Sequence, residues 1–316
     1  MKIVITGALG HIGSRLIREL PPSLEDAEIV LIDNLMTQRY ASLFDLPQQG
    51  RFRFVQADVL TVDLEQLIEG ANCVVHLAAI TDAEASVAQK DRVEHNNFTG
   101  TQRIAAACQR SGAAMIFPSS TSVYGSQDSR VDEECPASDL VPQSPYAETK
   151  LREEDWLRSL EESEGLRFIT FRFGTIVGTS PGMRFHTAVN KFCWQAVMGE
   201  PLTVWRTALH QVRPYLDLSD AIRAVYFMIE HQQFDSRVYN VVTENCTIEG
   251  IANSIREHVP GLELEMVDSP IMNQLSYEVA SQRLADKGFQ CQGNINHGIA
   301  ETIALLRGCM TARPNC

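Results

Sequence analysis

Long apolar runs are missing from this chain. A membrane-spanning helix requires roughly 20 consecutive apolar residues, and the opening stretch MKIVITGALGHIGSRLIREL is broken by glycine, arginine and glutamate well short of that. Neither a signal peptide nor a transmembrane helix is therefore expected. Basic residues are also scarce, 27 against 40 acidic ones, and the resulting net charge of −13 repels phosphate backbones and anionic lipid. Binding to nucleic acid or to a membrane surface is disfavoured accordingly. Metal-ligand spacing is absent as well: the eight cysteines form no C-x-x-C pair and no paired histidines accompany them. Reduced thiols in a cytoplasmic protein are expected, with no metal site.

What is present is material for an ordinary globular core, with 44% hydrophobic residues in a chain of 316, room for one large or two moderate domains. The short apolar runs KIVIT, EIVLID, FRFVQAD, CVVHLA, AMIFPSS and RFITFRFG read as strands. Between several of them lie helical patterns, including IGSRLIREL, TGTQRIAAACQRSG and YAETKLREEDWLRSLEESEG. Such alternation predicts an α/β fold, a Rossmann-like doubly wound parallel sheet. The rhythm changes after Gly174, which predicts a nucleotide-binding domain over 1–174 and a smaller mixed α/β substrate lobe over 175–212 and 246–312. RPYLDLSDAIRAVYFMIEH and VYNVV, within about 213–245, read as a strand, a helix and a strand returning to the sheet.

ITGALGHIG follows the first strand and opens the first helix, with Gly7, Gly10 and Gly13 in the dinucleotide spacing. Glycines there permit a tight turn and a close approach of pyrophosphate to free N–H groups at the helix N-terminus. Asp33 stands at the end of the second strand, where the fingerprint places an acid about 20 residues on. A carboxylate accepts hydrogen bonds from both ribose hydroxyls and repels a 2′-phosphate, so NAD is the expected cofactor.

Tyr146 and Lys150 lie four apart at the start of a helical stretch, on one face of it. A lysine cation beside a phenol favours phenolate, which turns a group of ordinary pKa about 10 into a usable base. Ser120, ending a strand in SSTSVYG, is placed to hydrogen-bond the same substrate oxygen. Together these three form the expected catalytic set.

With TGALGHIG, DNL, ADV, HLAA, NNFTGT, SSTSVYG, SPYAETK and RPYLDLSDAIRA in that order, the sequence resembles the extended short-chain dehydrogenase/reductase superfamily. The branch it resembles is the NAD-dependent sugar-nucleotide epimerase/dehydratase family. The resemblance implies that His11, Ile12 and Asn34 join the glycines and Asp33 around NAD. It further implies that Asp58 and Val59 frame the adenine, that Leu77, Ala78, Ala79 and Ser119 line the cofactor, that Asn97 braces the loop beneath it, and that Phe173 sits beside the nicotinamide amide. Tyr146 would deprotonate a sugar hydroxyl as hydride leaves its carbon, and the keto sugar, once turned, would take the hydride back on its other face. The implied substrate residues are Thr81, Ser120, Thr121, Tyr146, Thr175, Arg184 and Arg213, with Arg213 as the leading diphosphate ligand. His186 and Trp205 are expected to be packing residues. A homodimer built on the helices around Thr101 to Arg110 and from Tyr146 is also implied.

Two departures from the family pattern matter. Dehydrating and decarboxylating relatives carry an acid before VYG, whereas this chain has Thr121 and Ser122, and no cysteine lies between Cys108 and Cys135 for a reduce-and-epimerise mechanism. Epimerisation at C4 of a nucleoside-diphosphate sugar is thus favoured over dehydratase, decarboxylase or reductase chemistry. Thr175 replaces a common Asn in RFGTIVG, as in some uronic-acid 4-epimerases. A non-catalytic NAD-binding sensor is the alternative of another class, disfavoured because Tyr146 and Lys150 are both kept.

Overall fold

The computed structural model describes residues 1–20, 24, 26–127, 130–268 and 276–308. The first apolar run forms β1 (Lys2–Thr6), whose Ile3 and Ile5 point to one face and Val4 to the other. The glycine turn follows and opens α1 (His11–Glu19). The chain then lays down β2 (Glu28–Asp33), β3 (Arg51–Gln56), α2 (Leu64–Ile68), β4 (Cys73–His76), α3 (Ala83–Ser86), α4 (Lys90–Ser111), β5 (Ala114–Ser120), α5 (Pro145–Glu164) and β6 (Phe168–Phe173). Punctuation ends the long helices: Gly112 after α4 and Gly165 after α5 both take left-handed φ, of 72° and 70°.

Beyond Gly174 come β7 (Thr175–Val177), α6 (Ala188–Met198), β8 (Leu202–Trp205), β9 (Val212–Asp217), α7 (Leu218–Glu230) and β10 (Val238–Val241). The described chain finishes with β11 (Glu244–Thr247), α8 (Ile248–His258), β12 (Leu264–Val267), α9 (Gln282–Asp286) and α10 (Ile295–Arg307).

Seven strands form one parallel sheet in the order β10-β6-β5-β4-β1-β2-β3. Residues of α1 and α7, such as Leu16, Ile17, Ile222 and Val225, cover one face. The other face packs on Ile68, Ile104, Cys108 and Leu157 of α2, α4 and α5. Strand order reverses between β1 and β4, and a ligand crevice belongs outside the C-terminal ends of strands at such a switch point.

The return to this sheet differs from expectation. α7 and β10 do return, but β9 pairs with β7 in parallel and with β11 antiparallel in a separate three-stranded sheet. The two backbones run close at Gly174, where a Cβ would lie 3.1 Å from Pro214 O and from Tyr215 C. Leu284 and Phe289, expected in the lobe, pack instead in the core beneath the large sheet. The lobe's own core joins α6, α8 and α10 through Phe192, Ile251, Ile255, Ile299 and Ile303. The six described cysteines are all free thiols, while Cys309 and Cys316 lie outside the described residues.

Candidate active site

The glycine turn is a cradle made of backbone. Gly7 has φ of 63°, and a Cβ on it would sit 2.6 Å from Ala78 N, at the end of β4. Gly13 would drive a Cβ to 2.5 Å from Ala8 O. α1 begins at Gly10 with no side-chain cap and no acid in its first turn, so its leading N–H groups face outward for an anion. The Asp33 carboxylate fixes the turn, accepting from Leu9 N at 3.1 Å and from Leu35 N at 2.8 Å. Asn34 donates to Asp58 at 3.1 Å, tying the ends of β2 and β3 together. This arrangement fits a dinucleotide.

The lobe is strapped to the same helix. His11 Nε2 lies 2.9 Å from Gly178 O, Arg15 donates to Thr179 O at 3.2 Å, and Gly182 N donates to Ser14 Oγ at 3.0 Å. A carbonyl can only accept, so the His11 proton is on Nε2. Burial pushes this ring down to about 4, outweighing the hydrogen bond to Gly178, and leaves it neutral at physiological pH.

A cluster of positive groups faces the cleft. Burial and then the Arg184 charge bring Arg39 down to about 10, with Asp33 acting against them. Arg184 donates to Thr81 Oγ1, and its own guanidinium is depressed by burial and supported by Tyr146 and Asp82. His186, at the exposed rim, is held below its ordinary value by partial burial and by Arg184. Two arginines that repel each other across a cleft form a site an anion would relieve.

The hydroxyl, phenol and amine come from two adjacent elements. Ser120 ends β5 and accepts from Ser122 N at 3.2 Å and from Ser122 Oγ at 2.8 Å. Both acceptor positions of its oxygen are filled, so its own proton is what it can offer the cleft. α5 starts with Ser144 accepting from Ala147 N at 3.2 Å and Pro145 in the first turn, which sets Tyr146 one turn before Lys150.

Lys150 has further partners in this structure. The Lys150 ammonium sits 4.4 Å from the centre of the Phe117 ring and 3.2 Å from Glu153 Oε2, a buried pair. Burial raises the Tyr146 phenol well above its ordinary value, Glu153 adds to the rise, and Arg184 is the cation that opposes it. Lys150 is thus paired with a carboxylate on its own helix.

A family model described as "NAD dependent epimerase/dehydratase family" matches residues 3–241. The chain belongs to that family. Its relatives include an uncharacterised UDP-glucose epimerase, YtcB, of Bacillus subtilis (strain 168), 32% identical over 71% of this chain and 71% of that protein. A trifunctional UDP-glucose 4,6-dehydratase, epimerase and reductase of Arabidopsis thaliana is 28% identical over 95% of this chain. The chain spans only 46% of that relative's length. Among solved structures, a UDP-N-acetylglucosamine 4-epimerase from Methanobrevibacter ruminantium M1, in complex with UDP-N-acetylmuramic acid, superposes with a TM-score of 0.86 at 25% identity, covering 98% of this chain and 99% of that one.

As in an NAD-dependent member of the epimerase/dehydratase family, one cleft runs across the switch point. Gly7, Gly10, His11, Ile12 and Gly13 border it, with Asp33, Asn34, Asp58 and Val59 at one end. Leu77, Ala78, Ala79, Thr81, Ser119 and Ser120 continue the wall to Tyr146, Lys150, Phe173, Thr175 and Arg184. Three expected site residues do not border it. Asn97 is buried and uses its amide to accept from Ile80 N at 2.8 Å and donate to Ile80 O at 2.9 Å. Thr121 turns back into the protein, donating to Phe173 O at 3.3 Å, with Tyr277 OH 3.4 Å away. Arg213, on β9, donates to Gln211 Oε1 at 3.2 Å, and its charge acts on the Tyr215 and Tyr277 phenols.

Sequence reasoning missed Arg39, whose only signal was an arginine six residues after Asp33, and treated His186 as packing although it borders the cleft. It also missed the state of His76. That ring takes Thr6 Oγ1 at Nδ1 (2.7 Å), leaves Nε2 without a hydrogen-bond partner among the described residues, and is brought down to about 3 by burial and then by Lys150.

Proposed function

We propose that this protein epimerises a nucleoside-diphosphate sugar at C4 through a transient 4-keto sugar. One observation carries the choice within the family: among the described residues the only carboxylates bordering the cleft are Asp33 and Asp58, both where β2 and β3 end. Removal of water or carbon dioxide from an oxidised sugar needs an acid or base at the neighbouring carbon. Thr121 and Ser122 follow Ser120 where one would stand, and Thr121 is committed to the backbone of Phe173.

In this reading the turn of Gly7, Gly10 and Gly13, with Asp33, Lys150 and Phe173, holds NAD. When bound, NAD supplies the acceptor for a hydride and the donor that returns it. Tyr146 takes the proton of the sugar hydroxyl as its O–H bond breaks and the carbonyl forms; once the keto sugar has turned its other face to the cofactor and the C–H bond has re-formed there, Tyr146 gives the proton back to the same oxygen. Ser120 donates to the same sugar oxygen. The large sheet carries the cofactor, while the lobe of α6, α8 and α10 carries the nucleotide sugar. Arg39 and Arg184 offer charge to its phosphates. Arg184 together with Thr175 also suits a sugar carboxylate, which makes a nucleotide-linked uronate the second substrate class to try.

We also propose a homodimer formed through α4 and α5, which pack side by side and carry the partly exposed Phe98–Trp156 contact (6.0 Å) with Arg152 3.9 Å over Phe98. The cytoplasm is the compartment that suits free thiols. Among the described residues no helix is long and apolar enough to cross a membrane.

The deciding experiment incubates the protein with nucleotide sugars and uronates in deuterated water. A C4 epimer free of carbon-bound deuterium, with no net NADH, is the expected outcome. Loss of water or carbon dioxide, or stoichiometric cofactor turnover, would place it in another branch.

A further inference from the structure

α5 carries two adjacent acids, both fully buried, in different surroundings. Glu154 is saturated: Arg172 Nη2 donates to it at 2.7 Å and Nε at 3.1 and 3.2 Å, and Ser119 Oγ donates at 2.5 Å. That is a structural pair tying α5 to β5 and β6. Glu153 has only two partners among the described residues. Thr101 Oγ1, from α4, donates to its Oε1 at 2.5 Å, while its Oε2 faces the Lys150 ammonium at 3.2 Å. Glu153 does not border the cleft, whereas both Lys150 and Tyr146 do.

We propose that Glu153 is a positioning residue of this site: its carboxylate anchors the Lys150 ammonium and sets the electrostatic field in which Tyr146 exchanges its proton. The proposal rests on the reading of Tyr146 as the acid–base group. The groups that face the pair come from every neighbouring element. On α5 these are Tyr146, Lys150 and Glu154; α4 supplies Thr101, β4 supplies His76, β5 supplies the Phe117 ring, and Arg184 acts on Tyr146 from the lobe. Burial pushes the Glu153 carboxyl up, and Lys150 and the Thr101 hydroxyl bring it back.

The two buried acids answer to different demands. Depth does not separate them, since both ion pairs are equally buried; their partners do, because Lys150 borders the cleft with Tyr146 and Arg172 does not. Tyr146 must accept a proton from the sugar and later return it, and a phenol made too acidic by an unopposed lysine is a poor donor on the return step. A fixed negative charge one turn beyond Lys150 balances the two directions. Glu153 and Tyr146 then titrate as a coupled pair, each making the other's ionisation harder.

The test needs no substrate. With the NAD-loaded protein labelled at tyrosine Cζ, carbon NMR follows each phenol through a pH titration, and the Tyr146→Phe variant assigns the signal. In Glu153→Gln the Tyr146 midpoint is expected to fall by about one pH unit. In Thr101→Val, which removes the hydroxyl that favours the charged acid, the Glu153-linked step sensed by Tyr146 is expected to move to higher pH. An unchanged or higher Tyr146 midpoint in Glu153→Gln overturns the proposal. If that variant does not fold, a Glu153-linked step that is absent or unmoved by Thr101→Val overturns it instead. Failure of the epimerase reading would show only in the sugar assay and would leave these titrations as they are.

Discussion

At the scale of single residues, the chemistry rests on the proton equilibrium of one phenol. Burial and Glu153 hold Tyr146 above its ordinary range, and Arg184 pulls the other way. Replacing Tyr146 with Phe removes the oxygen and leaves the glycine cradle untouched, so turnover is expected to fall by a factor on the order of a thousand while NAD affinity measured calorimetrically stays within about twofold. Full retention of turnover would exclude Tyr146 as the base. Loss of NAD binding would show that it holds the cofactor instead. Tyr146 and Lys150 were legible because i,i+4 geometry is local, and Ser120 because it ends an apolar strand ahead of them, after the glycine fingerprint. The partner of Lys150 was not legible: Glu153 is a charged residue in a charged stretch, and nothing in REEDW says which of its acids meets the lysine. Arg39 was illegible for a related reason, since a lone arginine in a loop becomes meaningful only when the fold sets it against Asp33 and Arg184.

At the scale of elements, the strap from β7 to α1 is the feature that the alternation of strands and helices did not announce. Its contacts are single backbone groups 164 to 168 residues apart in sequence, and no local pattern encodes them. The parallel strands were readable because burial on both faces demands near-continuous apolar runs, and β1, β2 and β5 follow KIVIT, EIVLID and AMIFPSS residue for residue. The short β9 was readable as a strand but not as a member of the smaller sheet. Gly182 gives the strap a direct test, since a Cβ there would meet Leu9 O at 2.2 Å and Gly10 O at 2.5 Å, backbone atoms that cannot swing aside. Gly182→Ala is expected to push the strap off the glycine turn and to weaken NAD binding about tenfold, a cost of roughly 1 to 3 kcal/mol for overpacking. Calorimetric titration with NAD checks this, and undiminished affinity would mean that the strap and the cradle move independently.

At the scale of the whole molecule, two histidines held neutral, His76 buried in the large sheet and His11 half-buried at the start of α1, make the fold sensitive to acid. His76 binds a proton in the folded protein only at about pH 3, and His11 only at about pH 4. In the unfolded chain both titrate near an ordinary value of about 6.5. Between those limits the unfolded state holds more protons, so stability is full above about pH 6.5, falls on acidification, and stops falling from this cause once both rings are charged in the folded state. Each ring removes on the order of 3 kcal/mol over that window. Urea midpoints measured from pH 7.5 to pH 4.5 are expected to decline steadily, and a flat profile would contradict the burial of these rings.

The sheet order has a consequence for how the protein is made. β6 is complete at Phe173, yet its outer neighbour β10 begins only at Val238, after β7, β8, β9 and the helices α6 and α7 have been synthesised. A chain leaving the ribosome from its N-terminus therefore carries Phe168–Phe173, every residue of which is buried in the finished protein, as an unpaired edge for the whole of that interval. Chaperone engagement and misfolding in the cell should concentrate on nascent chains that end between those two strands.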